Sequence, residues 1–103
     1  MANLRVKWVL PTTRQSGKPL PSGEVAHTRI ELSADAGANW VKLGDFPPAT
    51  LETLVQDLDF GVWQVRGTVF DVAGRPSVPL VKEVTNADTT PPSVLGDLTL
   101  TLE

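Results

Sequence analysis

The stretch from Leu58 to Gly74 constrains the fold of this chain more than any other part of its sequence. It opens with turn-forming residues at Asp59–Gly61 and closes with a second turn at Asp71–Gly74. Between the turns, apolar or small residues occupy every second position, which is the period of a strand with one face against a core. These residues are Trp63, Val65, Gly67 and Val69, and the opposite row is Gln64, Arg66 and Thr68. The pattern predicts a long strand that faces a core on one side and water on the other.

Shorter segments with the same alternation lie on both sides of this central strand. The further predicted strands are Leu4–Val9, Val25–Ser33, Trp40–Leu43, Leu51–Val55 and Val78–Val84. The turn residues of Asp35–Asn39 are expected to join the second and third of these strands as a hairpin. Residues Thr50–Leu58 also fit helical spacing, so a helix competes with a strand there. We favour the strand because the neighbouring segments are extended.

Composition limits the classes of protein to which the chain can belong. Its 103 residues suit one domain, and 41% hydrophobic with 20% charged residues is ordinary globular usage. A net charge of −3 gives no general attraction to nucleic acid or to anionic membranes, so we expect neither as a partner. No stretch approaches the roughly 20 apolar residues of a membrane span. The absence of cysteine removes disulfides, thiolate metal sites and cysteine nucleophiles.

The chain divides into a globular part and a tail. Residues 1–86 carry the predicted domain, and residues 87–97 form a proline-containing linker. Residues 98–103 are predicted to form a C-terminal strand, in which residues 98–102 alternate leucine with threonine. The N-terminus has no basic start followed by an apolar run, so no signal peptide is visible. We therefore expect synthesis in the cytoplasm.

Four local patterns between about residues 4 and 86 occur in an order typical of one family. The first pattern is Trp8 followed by Pro11, and the second is a strand, a turn and a tryptophan over Thr28–Trp40. The third is a corner at Leu58–Trp63. The fourth is a strand over Val65–Ser77 that ends in an Asp-x-x-Gly turn followed by a serine. Together they resemble a fibronectin type III domain of the bacterial and phage type. The resemblance implies an all-β, immunoglobulin-like β-sandwich of about seven strands.

The chain departs from the family pattern at two places. Trp63 replaces the corner tyrosine, so we expect an indole N–H to donate where the family uses a hydroxyl. Only Met1–Asn3 precede the Trp8 strand, so the first strand of the family is missing from the N-terminus.

The tail Leu98–Leu102 has three interpretations. We favour its return to the vacant edge beside the Trp8 strand, where it would complete the sheet, because closing a long loop adds little entropy cost. It can begin a following domain, as in tandem arrays. It can also be exchanged between two molecules through matching edges, which makes the protein either a monomer or a strand-swapped dimer.

The candidate binding residues lie on loops and on one hairpin strand. Arg14, Lys18 and Arg75 are expected to meet at one pole as a basic surface for an acidic partner, with ordinary loop solvation as the alternative. Trp40 is expected either to cover a sheet edge or to stack on a sugar ring. Trp8 and Trp63 are expected in the core.

We expect no catalytic, cofactor or metal site. His27 is alone and lacks a serine or acid pattern around it, and Asp35–Asn39 lacks most ligands of a calcium loop. Asp57 and Asp59 flank a corner where short acids favour turns. The sequence therefore predicts a non-catalytic structural or interaction module that binds protein or glycan through loops or a sheet edge. The resemblance, together with the absent signal peptide, implies that it is assembled into a phage virion or tail or onto a bacterial surface. The alternative is an accessory module of a secreted polysaccharide-degrading enzyme.

Overall fold

The structure is a computed structural model that describes residues 2–102. Within that range the chain forms six strands and one short 3₁₀ turn at Ser22–Glu24. The strands are β1 (Ala2–Lys7), β2 (Val25–Ser33), β3 (Val41–Phe46), β4 (Glu52–Leu58), β5 (Gly61–Asp71) and β6 (Leu80–Asn86). The predicted all-β class is confirmed.

The six strands form two antiparallel sheets. One sheet has two strands in the order β1-β4, and the other has four in the order β3-β2-β5-β6. The central strand β5 pairs with β2 along most of its length, from Val65 opposite Leu32 to Asp71 opposite Val25. Trp8, next to β1, packs on Phe46 of β3 with 5.3 Å between ring centroids and so links the two sheets. The architecture is a β-sandwich-like all-β fold.

The core lies between the sheets and is small. Ile30 is only 2% exposed, and the other buried apolar side chains are Val25, Leu32 and Leu58. Ile30 pairs with Gly67 of β5. Because two strands cannot cover a four-stranded sheet, Leu80 on β6 stays 66% exposed. Trp8 and Trp63 are half-buried, so neither is enclosed in the core as the sequence predicts.

The predicted strands are present, with shifted ends. The predicted strand Val25–Ser33 matches β2 at both ends. Residues 52–58 form a strand, so the competing helix over Thr50–Leu58 is wrong. The last predicted strand begins two residues late, at Leu80, because Pro79 has no N–H for the ladder. Asp57 in β4 has a positive φ of 55° at a register shift opposite Asn3, which marks a bulge before the corner.

The outer face of the four-stranded sheet is less exposed than the sequence predicts. Thr68 belongs to the row expected in water, yet it is buried. Arg66 on the same face binds Glu31 through its Nη2 at 2.9 Å. His27 stacks on Phe70 with 4.7 Å between ring centroids. Long side chains from neighbouring strands therefore cover this face, which single-strand alternation cannot show.

The corner before β5 forms as expected. The indole Nε1 of Trp63 donates a hydrogen bond of 3.0 Å to the carbonyl oxygen of Asp59. Asn86 also stabilises the corner, because its Nδ2 donates hydrogen bonds to the carbonyl oxygens of Leu58 at 2.8 Å and Asp59 at 3.0 Å. The turn between β4 and β5 is thus held by two side chains.

The tail does not supply a seventh strand in this structure. Residues 87–102 form no strand, and the side chains of Leu98, Leu100 and Leu102 are exposed. The expected total of about seven strands is therefore six in the described residues. The chain leaves β6 at Asn86, next to Leu58, which pairs with Ala2 at the start of β1. It therefore emerges at the wrong end of β1 to continue directly as an antiparallel neighbour.

Candidate functional site

A concave surface lies where two loops meet beyond the ends of β1 and β5. We call this end of the molecule the loop pole, and the surface the loop cleft. One wall is the loop 11–20 and the other is the connection 71–78, and the cleft has a volume of about 550 Å³. Its apolar lining consists of Pro11, Leu20, Val25, Val69, Phe70, Pro76 and Val78. A largely apolar concavity with a few charged groups at its edge is typical of a ligand or peptide site.

The first wall is a small hairpin built by local hydrogen bonds. Leu20 N donates to the carbonyl oxygen of Thr12 at 2.9 Å, and Arg14 N donates to that of Lys18 at 2.7 Å. Gly17 closes the turn with a φ of 88°, a conformation that glycine adopts at little steric cost. Loop 11–20, which contains no strand predicted from the sequence, therefore has a defined shape.

The second wall is organised by Asp71. Its Oδ1 accepts hydrogen bonds from the backbone N–H groups of Ala73 at 3.0 Å and Arg75 at 2.9 Å. Gly74 completes the turn with a φ of 82°, and its N–H donates to the Asp71 carbonyl oxygen at 2.9 Å. This is the Asp-x-x-Gly turn that the sequence predicts after the central strand.

Asp71 also joins the two walls. Its Oδ2 accepts from Arg75 Nε at 2.8 Å and from Arg14 Nη1 at 3.1 Å. Arg14 reaches back to Glu24 through Nη2 at 2.7 Å. The backbone N–H of Arg75, followed by the two arginine side chains, lowers the pKa of Asp71 to about 2. The hydrogen bonds to Glu24 and then Asp71 raise the pKa of Arg14.

Two of the three predicted basic residues therefore meet, and both are paired with a carboxylate. Arg14 and Arg75 share Asp71, while Lys18 lies on the tip of the hairpin. The side chain of Arg75 is 70% exposed and uses Nε for this contact, so its terminal amino groups lie at the solvent side of the cleft. Sequence reasoning did not single out Asp71 as the shared anion. The Asp-x-x-Gly turn predicts a local role for Asp71 in the turn, but it does not predict a contact with Arg14, which is 57 residues away.

Trp40 lies away from the cleft, on the outer face of the four-stranded sheet. The guanidinium carbon of Arg66 sits 4.3 Å from the centroid of its ring, in a cation–π contact. The indole is half-buried, so one of its faces is covered by a neighbouring side chain.

The other polar residues considered from the sequence have local roles. Asp35 accepts from Ser33 Oγ at 2.7 Å and from Asn39 Nδ2 at 2.7 Å, which lowers its pKa to about 2 and closes the β2–β3 turn. His27 Nε2 lies 3.8 Å from Asp45 Oδ1 on the outer face. Among residues 2–102, no three His, Cys, Asp or Glu side chains are grouped as metal ligands would be.

Comparisons with protein-family models, with curated proteins and with solved structures gave no match. In the described part of the chain, no helix has the length and apolar character that crossing a bilayer requires.

Proposed function

We propose that this chain is a non-catalytic interaction module, an immunoglobulin-like sandwich of the fibronectin type III kind, that binds a protein partner through the loop cleft. The two antiparallel sheets support the fold assignment. The corner also supports it, because the Trp63 indole donates to a backbone carbonyl four residues upstream, as the family tyrosine does through its hydroxyl.

The loop cleft is the observation that carries the binding proposal. Val25 and Val69 contribute to its apolar lining, and Val78 beside them is 70% exposed and offers apolar surface to a partner. Arg75 adds a cationic group near the rim, whereas Arg14 is held between two carboxylates. A linear protein segment with one apolar side chain and a nearby carboxylate fits this combination.

The rigidity of the cleft favours binding. The hydrogen bonds to Asp71 and the backbone hydrogen bonds of the hairpin hold both walls in place before a partner binds. Binding therefore loses little conformational entropy in these loops. Loops held on a rigid sheet are a common place for the contacts of such modules.

The carbohydrate-associated alternative has less support. It depends on Trp40 as a stacking surface, and Arg66 already covers one face of that indole. Tryptophan fluorescence that changes on addition of soluble polysaccharides would restore this alternative. The setting that we propose, a phage virion or tail or a bacterial surface, rests on the family resemblance.

Peptide selection tests the cleft directly. A random peptide library is selected on the immobilised wild-type chain, and the enriched peptides are measured by fluorescence anisotropy. The test variant is Val78→Glu, which places a carboxylate at the cleft. The matched control is Val41→Glu, because Val41 is similarly exposed, at 67% against 70%, and lies on β3.

We expect the enriched peptides to combine apolar and acidic residues. Their affinity should fall at least tenfold in Val78→Glu, which is about 1.4 kcal/mol. Affinity should be unchanged in Val41→Glu. Peptides that bind both variants as tightly as the wild type would contradict the loop cleft as the binding surface.

A further inference from the structure

Strand β1 has a free edge. It pairs with β4 on one side only, as the outer member of a two-stranded sheet. Trp8 N donates to the carbonyl oxygen of Leu51 at 3.0 Å, so the N–H at Trp8 points toward the β4 side. Because alternate residues of a strand point their N–H groups to opposite sides, those of Arg5 and Lys7 face away from β4. An open row of donors and acceptors is a template for another strand.

The free edge borders an apolar groove between the two sheets. Leu4, Val6 and Trp8 form one wall, and Leu80 and Val84 of β6 form much of the other. The floor includes Ile30 and Val65, and the groove has a volume of about 250 Å³. Leu80 is 66% exposed because no strand lies beside β1 to cover it. We call this surface the edge groove.

The tail has the pattern of the strand that would fill the edge groove. Leu98, Leu100 and Leu102 alternate with Thr99 and Thr101, so all three leucines project to one side of an extended segment. Leu100 is 88% exposed. Five residues of extended chain span roughly 17 Å, close to the length of the six-residue β1.

Charge also matches the tail to the edge groove. Residues 87–103 contain Asp88, Asp97 and Glu103 and no lysine or arginine. The edge groove carries three cations, Arg5, Lys7 and Lys82, against the two carboxylates Glu52 and Glu83. The surplus of one positive charge favours an acidic strand.

The path of the chain in this structure favours a second copy as the source of the strand. An antiparallel neighbour of β1 must start at the loop pole, beside Trp8. The tail instead leaves β6 at the opposite end, next to Leu58 and Ala2. The molecule measures 84 × 24 × 20 Å with a radius of gyration of 21.0 Å, against about 13 Å for a compact chain of this size. The tail therefore leads away from its own β1.

We propose that the tail Leu98–Leu102 of a second copy of this chain adds to β1 as an antiparallel strand and places its three leucines in the edge groove. The two-stranded sheet thereby gains a third strand. The addition also covers Leu80 and satisfies the outward N–H groups of Arg5 and Lys7. This inference concerns a surface separate from the loop cleft.

Assembly is measured by sedimentation velocity over a range of concentrations of the full chain. We expect the wild type to associate as concentration rises. Leu100→Asp should weaken association at least tenfold, because a carboxylate enters the apolar groove. The matched control is Val94→Asp, since Val94 is 90% exposed and lies outside the alternating segment. It should associate like the wild type.

A mixing experiment tests the polarity of the contact. Leu100→Asp has an intact β1 edge but a tail that cannot enter the edge groove. Arg5→Pro has an intact tail but a β1 edge that lacks the outward N–H of residue 5. Each alone should stay monomeric, and an equimolar mixture should form one-to-one dimers. Arg5→Ala retains the N–H and serves as the control that associates. Leu80→Asp blocks the groove wall and is the second edge variant if Arg5→Pro unfolds by circular dichroism.

Two results would overturn the proposal. One is a wild type that stays monomeric at all concentrations, whether its tail amides are protected by its own β1 or exchange freely. The other is association that survives Leu100→Asp. Because no peptide is present in these measurements, either failure leaves the loop cleft proposal standing.

Discussion

At the scale of single residues, two tryptophans with similar exposure make different contributions. The indole N–H of Trp63 closes the corner between β4 and β5 by donating to Asp59. The indole N–H of Trp8 is buried and has no hydrogen-bond partner among residues 2–102. A buried donor without a partner costs free energy, whereas a satisfied one contributes.

Replacement by phenylalanine separates the two cases. Trp63→Phe loses the corner hydrogen bond, and we expect the free energy of unfolding to fall by about 1 kcal/mol beyond the loss from the smaller ring. Trp8→Phe removes an unsatisfied donor and should cost less. Urea denaturation of both variants provides the comparison. Equal losses in the two variants would show that the corner bond contributes nothing to stability.

At the scale of elements, Asp71 at the end of β5 connects the two loops of the cleft. Its side chain is 8% exposed and contacts Arg14 from the first loop and Arg75 from the second. The pKa of Asp71 lies near 2, below its ordinary value of 3.8, first because of the Arg75 backbone N–H. The ionised carboxylate therefore stabilises the folded chain.

This linkage predicts how stability depends on pH. The contribution of Asp71 is fully present above its ordinary pKa and is lost as pH falls from about 4 toward 2. Asp71→Asn should lower the melting temperature at neutral pH and reduce the loss of stability that accompanies a fall in pH. Some loss should persist in this variant, because the pKa values of Asp35 and Asp45 are also lowered. Asp97→Asn, which removes the same charge from the exposed tail, is the control. Thermal unfolding between pH 7 and pH 2 measures both, and identical acid profiles for the two variants would rule out this role.

The elements also show how far sequence reasoning reaches. Alternation identified β2 at both ends and placed β5 between its two turns, because each strand has residues that face a core at period 2. The same reasoning placed Thr68 in water, where it is buried. The cover over Thr68 comes from neighbouring strands, which the residues of β5 alone do not specify.

At the scale of the whole molecule, the sandwich and the tail are separate in this structure. Among residues 2–102, Asn86 is the last residue with a hydrogen bond to the sandwich, through its side chain to Leu58 and Asp59. Residues 87–102 are exposed throughout and form no strand. The stability of one isolated copy should therefore not depend on the tail.

Truncation after Asn86 tests this independence. We expect the shortened chain to unfold with a free energy within about 0.5 kcal/mol of the full chain, measured at concentrations where the full chain is monomeric. A further truncation that removes Asn86 itself should cost more, because the bonds to the corner are lost. If the cut after Asn86 greatly destabilised the monomer, the tail would have to pack on its own sandwich.

The sequence by itself determined the all-β class, the approximate strands, the corner at Trp63 and the turns at Asp35 and Asp71. These depend on periodicity and on local backbone preferences, which neighbouring residues encode. The tertiary structure alone decided that Asp71 binds Arg14, that two strands leave Leu80 uncovered, and that the chain leaves β6 at the end where β1 begins. Each of these depends on segments far apart in the chain, and the spacing of residues within one segment carries no information about what another segment places beside it.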